Sequence, residues 1–233
     1  MRPLHRIAIP LLALLAAAGC AMEAPGEQAI ELDYPPDYAP APVRDYDSFV
    51  AITQRGAEAT TLCTGILIGP FAVLTPLDCV PGAAEEIEVV VGPDVHEGAP
   101  YRAQAILRDL ERQLAVLVLR TAPPAYDARI STERWIEGYV DVVGYGIDHP
   151  RQFDLEAQRA RLMYAVGASL RSEDDATCLG DVGAAVLDPR GQVVGIVTDV
   201  QRALCAPGGS GTRWRSLVED RDWIAEMADV TPL

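Results

Sequence analysis

The sequence predicts an all-β protein in which two β units follow one another along the chain and a single helix ends it. Two observations carry this prediction. Short runs of β-branched and apolar residues recur from residue 48 onward with Gly, Pro and Asp between them, and only the final stretch, SLVEDRDWIAEMADV, has a helical pattern. The 233 residues suffice for one domain of ordinary size or two small ones that share an interface.

The first 19 residues are predicted to be a secretory signal peptide. Arg2 and Arg6 precede a short apolar stretch, and small residues lead up to Cys20. The segment AAAGC resembles a bacterial lipobox, whose cysteine becomes the lipid-carrying N-terminus, although Ala17 stands where leucine is usual. We therefore expect lipidation of Cys20. Ordinary cleavage nearby, with Cys20 a bystander, is the alternative.

The cysteine count agrees with a protein outside the cytoplasm. Of five cysteines, Cys20 is the odd one, and the other four can pair as disulfides. We expect the bacterial cell envelope as the location, with the chain lipid-anchored, at the outer membrane in a two-membrane cell because Ala21 follows Cys20, or else secreted.

Residues 20–43 read as a tether between the lipid and the folded domain. The segment is rich in proline, alanine and acidic residues, a composition that stays extended and solvated. The alternative is an N-terminal arm packed on the domain, anchored by Tyr34 and Tyr38.

The net charge of -15 excludes some partners. Binding to nucleic acid needs a basic surface, and anionic lipid head groups would repel this chain. We expect no nucleic-acid partner and membrane contact only through the lipid on Cys20.

The two β units each contain several candidate strands. Six in the first unit suggest a small barrel or a sandwich: SFVAIT (48–53), TLCTGILIG (61–69), FAVLT (71–75), EIEVVVG (86–92), YRAQAIL (101–107) and LAVLVLR (114–120). The second unit offers YVDVVGYG (139–146), RLMYAVGASL (161–170), AAVLD (184–188), QVVGIVTDV (192–200) and TRWRSLV (212–218), with a tight turn at DPRG (188–191).

Five motifs occur in an order that is typical of one family. They are CTGILIGPFAVLTPLDCV (63–80), LAVLVLR (114–120), VVGYG (142–146), CLGDVGAAV (178–186) and GIVTDV (195–200) followed by Cys205. Together they resemble the chymotrypsin/trypsin-like serine proteases, over about residues 48–227. The first resembles the segment that carries the catalytic histidine of that family, and the fourth resembles the segment that carries the catalytic serine.

The resemblance implies a fold of two tandem six-stranded antiparallel β-barrels with a C-terminal α-helix. The trypsin-like domain would span 44–233, with the first barrel at about 44–121, the second at about 135–218 and the helix at about 217–228. It also implies two disulfides, Cys63 with Cys79 and Cys178 with Cys205.

The three catalytic positions carry unsuitable residues. Asp78 stands where the resemblance implies the histidine, Gln113 where it implies the aspartate and Val182 where it implies the serine. Losing the serine or the histidine of such a triad costs about a millionfold in turnover. We therefore expect a pseudoprotease, that is, a protein that is not an enzyme and that binds a protein or peptide of the cell envelope in its cleft.

Three further positions are implied by the resemblance. Gly180 and Asp181 belong to the loop that forms the oxyanion site, and Ala176 would form the base of the specificity pocket, which favours small or apolar side chains. In active members a freed N-terminal amine pairs with the aspartate at 181. Because VRDYD (43–47) lacks an activation motif, Asp181 is expected to find an arginine or to turn toward water.

Two other functions remain open. One is an active serine-type endopeptidase with displaced catalytic groups, for which Ser210 and His149 are the candidates while His96 lies in a loop of the first barrel. The other is a structural envelope lipoprotein without a specific ligand. We expect no cofactor and no metal, because the acidic run 173–175 alone lacks the ligand spacing that calcium needs.

Overall fold

Two closed antiparallel β-barrels form the molecule, as the sequence predicts. The computed structural model describes residues 46–54, 61–125, 127–146, 158–171, 177–178, 180–200 and 212–232. The first barrel contains six strands in the order β1-β2-β3-β6-β5-β4. Their bounds are β1 Phe49–Gln54, β2 Thr61–Gly69, β3 Ala72–Pro76, β4 Ile87–Val91, β5 Ala99–Asp109 and β6 Leu114–Leu119.

The second barrel repeats the arrangement with six strands in the order β10-β11-β12-β9-β8-β7. Their bounds are β7 Glu137–Gly144, β8 Arg159–Val166, β9 Ser169–Arg171, β10 Ala185–Leu187, β11 Val193–Asp199 and β12 Thr212–Ser216. The expected fold class, two six-stranded antiparallel barrels followed by a helix, is therefore confirmed.

The continuous apolar run of β6 is explained by burial on both faces. Leu117 and Leu119 point into the interior of the first barrel, whereas Leu114 and Val116 join a second apolar cluster on the other face. That cluster also contains Val143 and other side chains of the second barrel, so the two barrels share one core. Each fully buried aliphatic side chain contributes about 1.5–3 kcal/mol, which makes this shared core a main source of stability.

The chain ends in a short helix that packs across this shared core. A 3-10 turn, Val218–Asp220, leads into α1, Arg221–Ala228, where the sequence predicts one helix at about 217–228. Ile224 is buried in the shared cluster, and the carbonyl of Ala228 lies where a side chain on Gly69 would project, 2.1 Å from the ideal Cβ position. Residue 69 must therefore be glycine for α1 to reach β2.

Charged side chains fasten the helix to both barrels. The Arg215 guanidinium on β12 donates to the carbonyl oxygen of Arg112, in the turn between β5 and β6, and to the Asp220 carboxylate. The Arg112 guanidinium lies 3.4 Å from Asp220 and stacks over the Trp223 ring, 5.4 Å from its centroid. This network holds the turn that carries Gln113.

One predicted strand divides in two. The run RLMYAVGASL becomes β8 and β9, joined by a turn at Gly167. Gly167 has φ +57°, in the left-handed region that glycine adopts without steric cost. The sequence pattern is continuous because Ala165 and Leu170 both face the interior of the second barrel, and the glycine alone marks the turn.

Asp141 is a buried carboxylate in the middle of β7. The residue is 3% exposed, and within the described part of the chain its Oδ2 has no hydrogen-bond partner. Burial raises the pKa of Asp141 to about 6. A carboxyl whose pKa is higher in the folded than in the unfolded chain stabilises the fold when protonated, and that contribution is lost as the pH rises through about 6.

We predict that Asp141→Asn stabilises the protein at pH 7.5 by about 2 kcal/mol, because it removes a buried ionised group. The gain should shrink as the pH falls below about 6 and disappear below the ordinary aspartate pKa of 3.8, where Asp141 is protonated in both states. Urea unfolding at a series of pH values measures it. Asp222→Asn, at a side chain 97% exposed, is the control and should show no such trend. A pH-independent effect of Asp141→Asn would contradict the prediction.

Candidate active-site cleft

A disulfide holds the segment that presents Asp78. Cys63 on β2 is bonded to Cys79, and the two Cα atoms are 5.7 Å apart. Asp78 lies in the 3-10 helix Leu77–Cys79, which follows β3 directly. The Asp78 side chain is exposed, whereas Cys79 is buried. The carboxylate therefore lies at the surface, on a backbone segment that the disulfide holds in place.

Gln113 lies beside this segment. The Leu77 N–H donates to the Gln113 carbonyl oxygen at 3.0 Å, which brings the two positions into adjacent backbone. Gln113 has φ +56°, uncommon for a residue other than glycine. The Gln113 side chain donates from Nε2 to the Leu110 carbonyl oxygen at 2.5 Å, which closes its own turn.

Val182 lies between the two barrels. Its half-buried side chain packs against the interior clusters of both. The Thr64 N–H donates to the Val182 carbonyl oxygen at 2.8 Å, and the sulfur of Cys79 lies 3.9 Å from the same oxygen. The structure therefore brings positions 78, 113 and 182 to one place at the barrel interface.

Asp181 belongs to the loop Gly180–Gly183, called here the 180 loop, and its side chain points into the protein. Asp181 is completely buried, and its carboxylate accepts hydrogen bonds at 2.8 Å from the N–H groups of Gly146 and Cys178. A Cβ on Gly146 would lie 1.9 Å from Oδ2. Backbone N–H groups thus bind the carboxylate inside the protein, so Asp181 does not turn toward water.

Thr64 fixes the 180 loop from the first barrel. Its hydroxyl donates to the Gly180 carbonyl oxygen at 2.7 Å and accepts from the Tyr145 N–H at 3.0 Å. Gly180 has φ +96°, and a Cβ on Gly183 would lie 1.9 Å from the Thr64 carbonyl oxygen. The loop therefore depends on glycine at both ends.

Two donors of the 180 loop remain available. Among the residues that the structure describes, the N–H groups of Gly180 and Val182 donate to no acceptor. Both lie in a loop whose carbonyl groups are engaged with the first barrel through Thr64. Paired backbone N–H donors of this kind can hold a carbonyl oxygen or a developing oxyanion.

Several predicted residues lie outside the described residues. Cys178 is disulfide-bonded, but its expected partner Cys205 is among those outside. The others are Cys20, His149, Ala176, Ser210 and the acidic run 173–175. Within the described ranges no group of three or more His, Cys, Asp or Glu side chains could hold a metal ion. The same ranges contain no helix long and apolar enough to cross a membrane.

A double barrel with a disulfide-held segment and a glycine-bounded loop meeting between the barrels defines a trypsin-like fold. The family model for the trypsin-like peptidase domain matches residues 63–196, more than half of the chain. The chain therefore belongs to the trypsin-like peptidase domain family. No curated protein matches it.

Solved protease structures share the fold. The Vibrio cholerae VesB protease is similar with a TM-score of 0.63 and 19% identity, over 82% of this chain and 67% of that one. Neuropsin, a serine protease expressed in the limbic system of mouse brain, is similar with a TM-score of 0.66 and 13% identity, over 82% of this chain and 97% of that one.

The expectation that the chain is a pseudoprotease and not an enzyme is wrong. The matching family is a peptidase family, so the family comparison points to a protease. Because Asp78, Gln113 and Val182 stand at the positions implied for the catalytic residues, the catalytic groups would have to lie elsewhere. The chain is still a member of the family.

Sequence reasoning missed the role of Thr64. Thr64 shares its face of β2 with the apolar residues Ile66 and Ile68, and this polar residue in an apolar row is the available signal. Its partners, Gly180 and Tyr145, are 116 and 81 residues away along the chain, so no local pattern shows the contact.

We predict that Thr64→Val destabilises the protein by about 3 kcal/mol, because it leaves the Gly180 carbonyl and the Tyr145 N–H buried without a partner. Urea unfolding of the two proteins measures the loss. Thr53→Val is a matched control in β1, since its hydroxyl makes only a 3.4 Å contact to the Glu88 carbonyl. Equal losses in both variants would contradict a special role for Thr64.

Proposed function

We propose that the chain is an extracytoplasmic serine-type endopeptidase whose catalytic groups are displaced from positions 78, 113 and 182. The observation that carries the proposal is the 180 loop, in which the N–H groups of Gly180 and Val182 are available to a substrate carbonyl. Membership of a peptidase family supports it.

The physical basis is that oxyanion donors act independently of the nucleophile. In triad proteases, catalysis of about a thousandfold to ten-thousandfold over water persists without the triad, from these donors and from substrate binding. A nucleophile and a base supplied from elsewhere would add to that rate. The sequence offers Ser210, in a glycine-rich segment, and His149, which follows the end of β7.

Substrate and location are part of the same proposal. A protein or peptide of the cell envelope would enter the cleft as an extended segment, and a lipid on Cys20 would hold the domain at the membrane. The signal-peptide pattern of residues 1–19 and the pairing of Cys63 with Cys79 support a location outside the cytoplasm.

A second candidate, favoured by Val182, is peptide recognition in the same cleft. An apolar side chain that is half-buried between both barrel cores gives a peptide a surface to pack on, next to two N–H donors. Crosslinking of the full chain in envelope extracts would test it, and a reproducible partner attached beside the cleft is the expected result.

We predict that a fluorophosphonate probe labels the full chain at Ser210 and that the chain hydrolyses short peptides. Ser210→Ala should abolish labelling and reduce turnover by about a thousandfold or more, because a nucleophile is lost. Peptide mapping by mass spectrometry identifies the labelled residue.

Ser169→Ala, in β9, serves as the matched control and should retain both labelling and turnover. No labelling together with no hydrolysis of casein or a broad peptide set would overturn the endopeptidase proposal. Hydrolysis that survives Ser210→Ala would show that the nucleophile is another group.

A further inference from the structure

Asp78 is an exposed carboxylate without a partner in the part of the chain described. It accepts no hydrogen bond and joins no ion pair there, whereas some other acids of the surface are paired. Glu133, for example, pairs with Arg190 at 2.7 Å, and Asp109 pairs with Arg112 at 2.7 Å. Asp78 is next in sequence to Cys79, whose sulfur lies 3.9 Å from the Val182 carbonyl oxygen at the barrel interface.

Neighbouring donors are committed to other acceptors. Arg108 on β5 reaches the segment that follows Asp78, yet its guanidinium donates to the carbonyl oxygens of Val80 at 2.9 Å and Gly82 at 2.6 Å. The Gln113 amide donates to Leu110. A ligand group beside Asp78 therefore has no competing donor from these two side chains.

The backbone around Asp78 is fixed before any ligand arrives. Cys79 is held by its disulfide, and the Leu77 N–H is bonded to Gln113, on either side of the residue. Pro76, which precedes this helix, has its φ restricted by the ring. A preorganised charge binds a ligand without first losing conformational freedom.

The 180 loop, which belongs to the second barrel, supplies hydrogen-bond donors, whereas Asp78 supplies an acceptor. The N–H groups of Gly180 and Val182 are donors, so they match a carbonyl oxygen, and the Val182 side chain is apolar. Asp78 is an acceptor, and its best complement is a positive charge. The net charge of -15 favours cationic ligands over the whole molecule as well.

We propose that the cleft selects peptide segments that carry a positively charged group, which binds Asp78 while a nearby backbone carbonyl binds the 180 loop. The group is either an arginine or lysine side chain or a free α-amino terminus, which share the same chemistry. This inference rests on the proposed function, because it names the substrate class of that cleft. The charge is recognised from position 78 and not from the predicted pocket base at Ala176.

The test is binding of fluorescent peptides to the full chain, followed by anisotropy at low and moderate salt. Three peptides of one length differ only in charge: an acetylated peptide with arginine, an acetylated peptide with glutamine in its place, and the glutamine peptide with a free α-amino group. The arginine or the free-amine peptide should bind more tightly than the neutral one, and the preference should shrink with salt because the carboxylate is exposed.

Asp78→Asn should weaken binding of the preferred peptide by about fivefold, the upper range for a solvent-accessible ion pair. It should leave the neutral peptide unaffected. Asp78→Arg should reverse the order in favour of an acidic peptide. Glu226→Gln, an exposed site on α1, removes the same unit of charge away from the cleft and should leave the preference unchanged.

The outcomes separate this inference from the proposed function. Peptide binding or hydrolysis without a preference for charge would overturn the inference and leave the endopeptidase proposal intact. A preference that Glu226→Gln weakens as much as Asp78→Asn would assign it to net charge and would also overturn the inference. Failure of every peptide to bind or to be hydrolysed would overturn both.

Discussion

The hydrogen bonds of Thr64 are the constraint on which the cleft depends. Its N–H and hydroxyl hold the carbonyl groups of Val182 and Gly180, and its own carbonyl accepts from the Thr75 hydroxyl at 3.0 Å. One residue of the first barrel thereby fixes a loop of the second. Because Thr64 is completely buried, these bonds are shielded from water, and losing one leaves an unpaired polar group in the core.

The cleft keeps its architecture although its three reactive positions carry other side chains. The Cys63–Cys79 disulfide, the glycines that border the 180 loop and the buried Asp181 depend on backbone geometry and not on the groups at 78, 113 and 182. The shape of the loop does not depend on the side chains at positions 78, 113 and 182. These side chains can therefore change while the loop keeps its shape. The loop therefore keeps two N–H donors and the apolar Val182, and neither these donors nor Asp78 has a hydrogen-bond partner among the residues that the structure describes.

Three aspartates of the structure differ in how far they are buried and in whether hydrogen-bond donors surround the carboxylate. Asp181 is buried against backbone N–H groups that compensate its charge, whereas Asp141 is buried with one oxygen unpartnered, and its pKa rises to about 6. Asp78 remains at the surface. Asp181 is buried with partners, Asp141 is buried with an unpaired oxygen, and Asp78 is exposed. The three carboxylates therefore have different physical roles in one fold.

The sequence by itself determined two β units and a closing helix, because apolar runs and turn residues are local signals, and the resemblance of the five ordered motifs to one family implied that both units are barrels. It also identified which residues meet at the cleft. It did not show that Gln113 bonds its own turn, that RLMYAVGASL divides at Gly167, or that Gly146 supplies a donor to Asp181. Gly146 and Asp181 are 35 residues apart along the chain, so only the tertiary fold brings the donor to the carboxylate. The other two features are local, but each depends on a single residue, Gln113 or Gly167, whose signal is weak within an otherwise regular apolar pattern.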